Sequence, residues 1–169
     1  MSDSTTAGIR TASHPATVWA RRATLGALSV AVLAALLTLL GVHSSTASVS
    51  SDGYRLDVVY PRVARPGLDA PLQVTVTHPG GFGKALTLAV SGHYLDLFES
   101  QGFRPSPSDE TRAGDTYYLT FSAPPGDSFR VYFDAYIQPA SQAGRDGWVE
   151  VMDGDTVVAR TSFSTTILP

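Results

Sequence analysis

Between Ala23 and Val42 the chain runs for 20 residues without a charged side chain, bounded by Arg21-Arg22 before and His43-Ser44-Ser45 after. At ~1.5 Å rise per residue such a run makes a helix of ~30 Å, the thickness of a bilayer's hydrocarbon core. Thr24, Ser29 and Thr38 fit within it, because a hydroxyl can bond back to the helix backbone. Core helices of soluble domains rarely stay apolar on every face over this length. The run is therefore expected to be a transmembrane helix over residues 23–42, with the lipid bilayer as its partner.

Flanking charge sets an expected orientation. Residues 1–22 carry Arg10, Arg21 and Arg22 against Asp3, whereas residues 43–169 carry nine basic and 14 acidic groups. Positive charge stays on the cytoplasmic side, so the N-terminus is expected inside and the C-terminal part outside, with Trp19 as an interfacial anchor. A signal peptide cleaved near Ala47 is the other reading, since Ser45-Thr46-Ala47 has the small residues a signal peptidase recognises. The apolar run exceeds the usual 7–15 residues of such a peptide, and this favours a retained signal anchor. Residues 1–22 lack apolar periodicity and read as a disordered cytoplasmic tail. Residues 43–52 are rich in serine and read as a flexible linker, of ~17 Å root-mean-square span and ~33 Å at full stretch.

From Tyr54 onward the apolar period is two. Leu72, Val74 and Val76 alternate with Gln73, Thr75 and Thr77. Leu86, Leu88 and Val90 alternate with Thr87, Ala89 and Ser91, and Val131, Phe133, Ala135 and Ile137 with Arg130, Tyr132, Asp134 and Tyr136. Each such stretch predicts a strand with one buried and one wet face. Weaker strand patterns cover residues 55–60, 117–121, 148–152 and 156–163. Turn chemistry separates them at Arg65-Pro66-Gly67, Pro79-Gly80-Gly81, Pro124-Pro125-Gly126-Asp127 and Gly144-Arg145-Asp146-Gly147. Asp153-Gly154 predicts a tight hairpin. About seven strands over residues 53–169 predict an all-β, Ig-like antiparallel β-sandwich. Tyr94-Leu95-Asp96-Leu97-Phe98 interrupts the pattern as an expected helical turn with Tyr94, Leu97 and Phe98 inward. Residues 101–115 read as the longest loop.

Tyr60-Pro61-Arg62-Val63-Ala64-Arg65-Pro66-Gly67, followed by Pro71-Leu72-Gln73-Val74-Thr75-Val76, resembles the opening strands of bacterial Ig-like or fibronectin-III-like modules. The chain as a whole resembles uncharacterised single-pass membrane proteins of high-GC Gram-positive bacteria that carry such a domain outside the membrane. One lysine against 11 arginines, and no asparagine, fit that origin. The resemblance spans about residues 54–169 and is architectural, bringing no functional motif with it.

Composition removes several chemistries. With no cysteine there are no disulfides, thiol nucleophiles or zinc knuckles. A net charge of −3 argues against nucleic acid as partner. Gly126-Asp127-Ser128 lacks the G-x-S-x-G surroundings of a hydrolase nucleophile and reads as a turn. His78 and His93 are 15 residues apart, without metal-ligand spacing, and two histidines cannot fill a zinc shell. Asp153, Asp155, Asp109, Glu110 and Asp115 are acidic enough to raise calcium, but no EF-hand spacing joins them. The expectation is a non-enzyme with no cofactor and no metal.

Two features point to binding. The wet face of the strand over residues 130–137 gathers Arg130, Tyr132, Asp134 and Tyr136, and Tyr and Arg are the side chains most enriched at interface centres. Along the helix, Ala23, Ala27, Ala31 and Ala35 recur every four residues, a spacing that lets two helix backbones approach closely in lipid. The expected function is therefore that of a membrane-anchored, non-catalytic binding or accessory protein. Its expected partner is another membrane protein or a cell-envelope component. A cleaved, secreted β-sandwich is the first alternative and an unrecognised envelope enzyme the second.

Overall fold

The computed structural model describes residues 15–36 and 41–168, without the side chains at 36, 100 and 101. The chain divides into two compact units, Met1–Gly41 and Val42–Pro169. The first holds helix α1, Pro15–Leu36. It is long and apolar enough over Pro15–Ala35 to cross a membrane. Its described side chains are exposed apart from the half-exposed Ala34. The helix starts earlier than the charge-free run does, because Pro15 suits a first helical turn and Arg21-Arg22 continue a helix without penalty. The expected tail over residues 1–22 is thus helical from Pro15, while residues 1–14, and residues 37–40 of the expected span, lie outside the described residues.

The second unit is β throughout, apart from a single helical turn. Its strands are β1 (His43–Ser51), β2 (Tyr54–Ala64), β3 (Asp69–Thr77), β4 (Ala85–Ser91), β5 (Phe98–Arg104), β6 (Asp109–Ala113), β7 (Thr116–Ser122), β8 (Ser128–Ile137), β9 (Arg145–Asp153) and β10 (Thr156–Ile167). The turn α2, Gly92–Leu95, joins β4 to β5. The strands form one curled sheet in the order β5-β8-β3-β2-β10-β9-β4-β7-β6, with β1 added alongside β2. Every pairing is antiparallel except a short parallel contact, Thr166 with Val63 and Ile167 with Ala64, where β10 meets the end of β2. That contact joins the two halves of the sheet. Leu72, Val74, Val131 and Phe133 on one half line the same small void as Leu88, Val90, Leu119 and Val149 on the other. The halves therefore face one another across a single apolar core.

The alternations described above form the buried face. Leu72, Val74, Val76, Val131, Phe133, Ala135 and Ile137 are all buried, and so are Leu86, Leu88 and Val90. Tyr94, Leu97 and Phe98 turn inward from α2 and the start of β5 as expected. Ala89 and Ser91 of β4 depart from the alternation and are buried on the outer face. Tyr118 and Glu150 flank Ala89 on the neighbouring strands, and Ser91 Oγ accepts the Trp148 N–H.

Among the described residues ten strands replace the expected seven, the additions being β1, β5 and β6. Residues 43–52 are not a linker. Residues 43–51 form β1, in register with β2 from Ser51↔Tyr54 back to Ser44↔Pro61, with a one-residue shift before His43↔Val63. Asp52 and Gly53 both adopt positive φ, +49° and +79°, the combination required by a two-residue type I′ turn. A strand of serine, threonine and alanine carries little hydrophobic signal, so its pairing is driven by the turn and by the partner strand. The expected loop over residues 101–115 contains the end of β5 and all of β6. Gly114, with φ +61°, folds β6 back on β7, which pairs Ala113 with Thr116. The hairpin expected at Asp153-Gly154 is present one residue later. Asp153 pairs with Thr156, so Gly154 and Asp155 form its loop.

Candidate functional site

Register across the first half of the sheet assembles its outer face from distant parts of the sequence. Thr46 of β1, Val59 of β2, Gln73 of β3, Tyr132 of β8 and Arg104 of β5 form one row across five strands. In neighbouring rows Thr75 lies beside Arg130, Pro71 beside Asp134, and Asp69 beside Tyr136. An open cleft of about 500 Å³ lies over β2, β3 and β8, with Val59, Asp69, Pro71, Gln73, Tyr132 and Asp134 among its lining.

The four residues singled out on β8 occupy this outer face in different ways. Tyr132 is 46% exposed, and its hydroxyl accepts a long hydrogen bond from Arg130 Nη1 at 3.4 Å. Arg130 Nε also donates to Thr75 Oγ1 at 3.3 Å. Asp134 forms an ion pair with Arg104 across the strands, Nη2 to Oδ2 at 2.6 Å. Tyr136 is half-buried. The loop between β2 and β3 passes over it, so that a Cβ at Gly67 would lie 3.5 Å from the Tyr136 hydroxyl. Tyr132 and Asp134 thus reach the cleft, Arg130 braces Tyr132 from beside it, and Tyr136 lies beneath the loop.

Chemically the cleft offers one exposed aromatic ring flanked by the planar polar groups of Gln73, Asp134 and Asp69. A ring of this kind covers an apolar surface, while amide and carboxylate oxygens orient polar partners at its rim. Gln73, which the alternation of β3 places on a wet face, and Asp69 and Arg104 are not among the site residues expected from the sequence. Only the register of β3 and β5 against β8 places them beside Tyr132 and Asp134, and no spacing within the chain encodes it.

The other half carries a second open cleft, of about 610 Å³, with Ser91, His93, Asp115, Asp146, Trp148 and Ser162 among its lining. The Arg160 guanidinium lies 4.8 Å from the centre of the Trp148 ring and donates from Nη1 to Glu150 Oε1 at 2.5 Å. The stack leaves Trp148 half-buried at the cleft's edge, whereas Tyr132 is among the most exposed large side chains described on the sheet.

The remaining polar motifs have structural partners. The Asp127 carbonyl accepts the His78 N–H at 2.9 Å, and the Asp127 carboxylate accepts Gly80 N–H at 3.3 Å. His78 stacks on Tyr54, with ring centres 4.1 Å apart, and Nδ1 donates to the Gly81 carbonyl at 2.6 Å. That carbonyl can only accept, so Nδ1 carries a proton. Ser128 starts β8 opposite Thr77. Among the described residues no three His, Asp or Glu side chains converge as metal ligands. Asp153 and Asp155 flank one hairpin turn, while Asp109, Glu110 and Asp115 lie on and beside β6. Beside Arg55, the Asp57 carboxylate is held below its usual range, chiefly by the hydrogen bond from that guanidinium.

Ala23, Ala27, Ala31 and Ala35 all lie on α1 and are exposed. No protein-family model matches this chain, and no curated protein sequence matches it.

Proposed function

We propose that this chain is a membrane-anchored, non-catalytic binding or accessory protein, with α1 as a retained signal anchor and residues 43–168 as an Ig-like β-sandwich outside the membrane. The observation that carries this reading is the cleft on β2, β3 and β8, where an exposed Tyr132 meets Asp134 and Gln73. Two further features support it. A helix that from Ala23 onward is free of charge on all sides and exposed requires lipid or another protein to cover it. Cleavage at Ala47 would also cut β1 in its middle and discard the residues that pair with the far end of β2. The excess of arginine before the charge-free run at Ala23, and of acid after it, supports an inside N-terminus. The Ig-like reading rests on the antiparallel halves sharing one core and on the parallel contact of β2 with β10. The partner on this reading is another membrane protein or an envelope component.

The test uses full-length protein in its own membranes, with a photo-cross-linking residue at Gln73 and, separately, at the exposed Thr111 of β6. Illumination is expected to give a discrete adduct from position 73 that disappears with Tyr132→Ala, and none from position 111. Equal labelling from both positions, or an adduct indifferent to Tyr132→Ala, overturns the cleft as the binding site. Carbonate washing and the intact mass test the anchor separately. Soluble protein beginning near Ser48 would replace it with the secreted form.

A further inference from the structure

A curled sheet has open edges, and those here are β5, β6 and the outer side of β1. Exposed edges invite pairing with other chains, and proteins blunt them with bulges, short length or charge. In β5 the pairing is broken by a bulge between Ser100 and Phe103. β6 is five residues long and carries Asp109, Glu110 and Arg112. β1 is neither short nor charged, and the one register shift in its pairing, between His43 and Ser44, falls at its first residue. It is nine residues long, with no proline, no Asp or Glu and no Lys or Arg. Among the described strands it is hydrogen-bonded to β2 alone. Alternate residues of such a strand direct both N–H and C=O outward.

We propose that β1 pairs two copies of this chain, edge to edge and antiparallel about a two-fold axis at Ala47. Ala47 is the midpoint of His43–Ser51, so this register gives the longest overlap. It sets Thr46 opposite Ser48, Ser44 opposite Ser50, and Ser45 opposite Val49. A two-fold axis brings a strand's own charges against one another, and β1 carries no acid, Lys or Arg to oppose. Ala47 and Val49 are only partly buried at the rim of the core, and a second β1 would extend their cover. The pair joins β5-β8-β3-β2-β1 to its two-fold copy as one continuous sheet. The choice of a second copy over a foreign strand rests in part on the anchor reading above. Two copies held in one bilayer meet in the same orientation at high effective concentration, and the alanine stripe of α1 allows their helices to approach.

Because the chain has no cysteine, an introduced thiol is the only one present. Full-length Ala47→Cys protein, in membranes, is treated with a short thiol-to-thiol cross-linker and compared with Thr111→Cys. The covalent dimer is expected at least ten-fold more abundant from position 47. Adding Ser44→Glu with Ser50→Glu sets like charges face to face and is expected to remove at least nine-tenths of it. Adding Ser44→Lys with Ser50→Glu sets opposite charges face to face and is expected to preserve it. Both combinations place the same glutamate beside Arg55, so loss in the first with retention in the second is not a folding defect. Equal cross-linking at 47 and 111, monomer alone from position 47, linkage to a different protein, or the same response to both charge combinations overturns the proposal. Soluble protein that still forms the position-47 dimer refutes the anchor and keeps the pairing. Membrane-bound protein without that dimer does the reverse.

Discussion

The Tyr94 hydroxyl lies 2.8 Å from Thr165 Oγ1, and Thr165 donates its single proton to the Pro61 carbonyl at 2.6 Å. Since that carbonyl cannot donate, the direction is set: Tyr94 to Thr165 to Pro61. The chain of bonds links the turn after β4, the last strand and the C-terminal part of β2. All three residues are almost completely buried. Tyr94 also packs edge-on against Phe163 and Phe98, with ring centres 4.9 and 5.4 Å away. It is the hub where the two halves of the sheet are tied beside their parallel contact.

Thr165→Val removes the middle of this chain and leaves a buried hydroxyl and a buried carbonyl without partners. It is expected to cost about 2–4 kcal/mol, against about 1–2 for Tyr94→Phe, because stranding a buried polar group costs more than losing a bond. Chemical denaturation of both variants and of the double variant checks this. The double variant is expected to be less destabilised than the sum of the singles, since the two residues share one bond.

Burial pushes the Tyr94 phenol well above its ordinary value of 10. A group with a raised folded pKa contributes its full stability below the unfolded pKa and loses it as pH rises. Stability is therefore expected to hold up to about pH 10 and to fall above it, as the unfolded phenol ionises while the folded one does not. The fall is expected to be shallower in Tyr94→Phe. Melting curves between pH 8 and 12 give the comparison, and identical slopes would exclude Tyr94 as the source.

Gly147 of β9 lies against this hub. A Cβ there would sit 2.6 Å from Tyr94 Cγ and 2.8 Å from Phe163 Cε2, closer than packed carbon atoms approach. Two rings must move to admit one methyl group, so Gly147→Ala is expected to destabilise by about 1–3 kcal/mol. A Gly80→Ala control meets no neighbour but has φ +97°, and it is expected to lose only the smaller cost of that backbone conformation. Thermal melts of the two variants separate crowding from backbone strain.

The turn at Asp52-Gly53 holds β1 on β2. Gly53→Val places a branched side chain at φ +79° and is expected to cost somewhat more than 1 kcal/mol. The loss is expected to be local. Hydrogen exchange should quicken in β1 while β8 and β9 stay protected, because β1 adds only half-buried side chains to the core. Uniform acceleration across the domain would show that β1 is integral to the cooperative unit.

The Arg55–Asp57 pair predicts a smaller effect at the opposite end of the pH scale. The folded Asp57 pKa is lowered, so its contribution is present above the unfolded pKa, near 4, and is lost as pH falls below it. Both side chains are partly exposed, so the effect is expected to be slight and to vanish in Asp57→Asn.

Much of this protein is determined by local sequence. An uninterrupted apolar run makes a lipid-length helix wherever it occurs, and period-two alternation commits β3, β4 and β8 to burying one face, because side chains alternate across a strand by covalent geometry. Tyr94, Leu97 and Phe98 were legible for the same reason, as large apolar groups in an otherwise polar stretch. On β8 the alternation also placed Arg130, Tyr132, Asp134 and Tyr136 on the outer side. What the tertiary structure alone decided is which strands lie side by side. β1 and β6 have little hydrophobic signal, and they are strands because a partner strand satisfies their backbone hydrogen bonds. Gln73 and Arg104 stand beside Tyr132 only through pairing across 59 and 28 residues of chain. Cross-strand register is set by how the two faces of the core fit together, and no stretch of sequence short enough to read for periodicity contains that information.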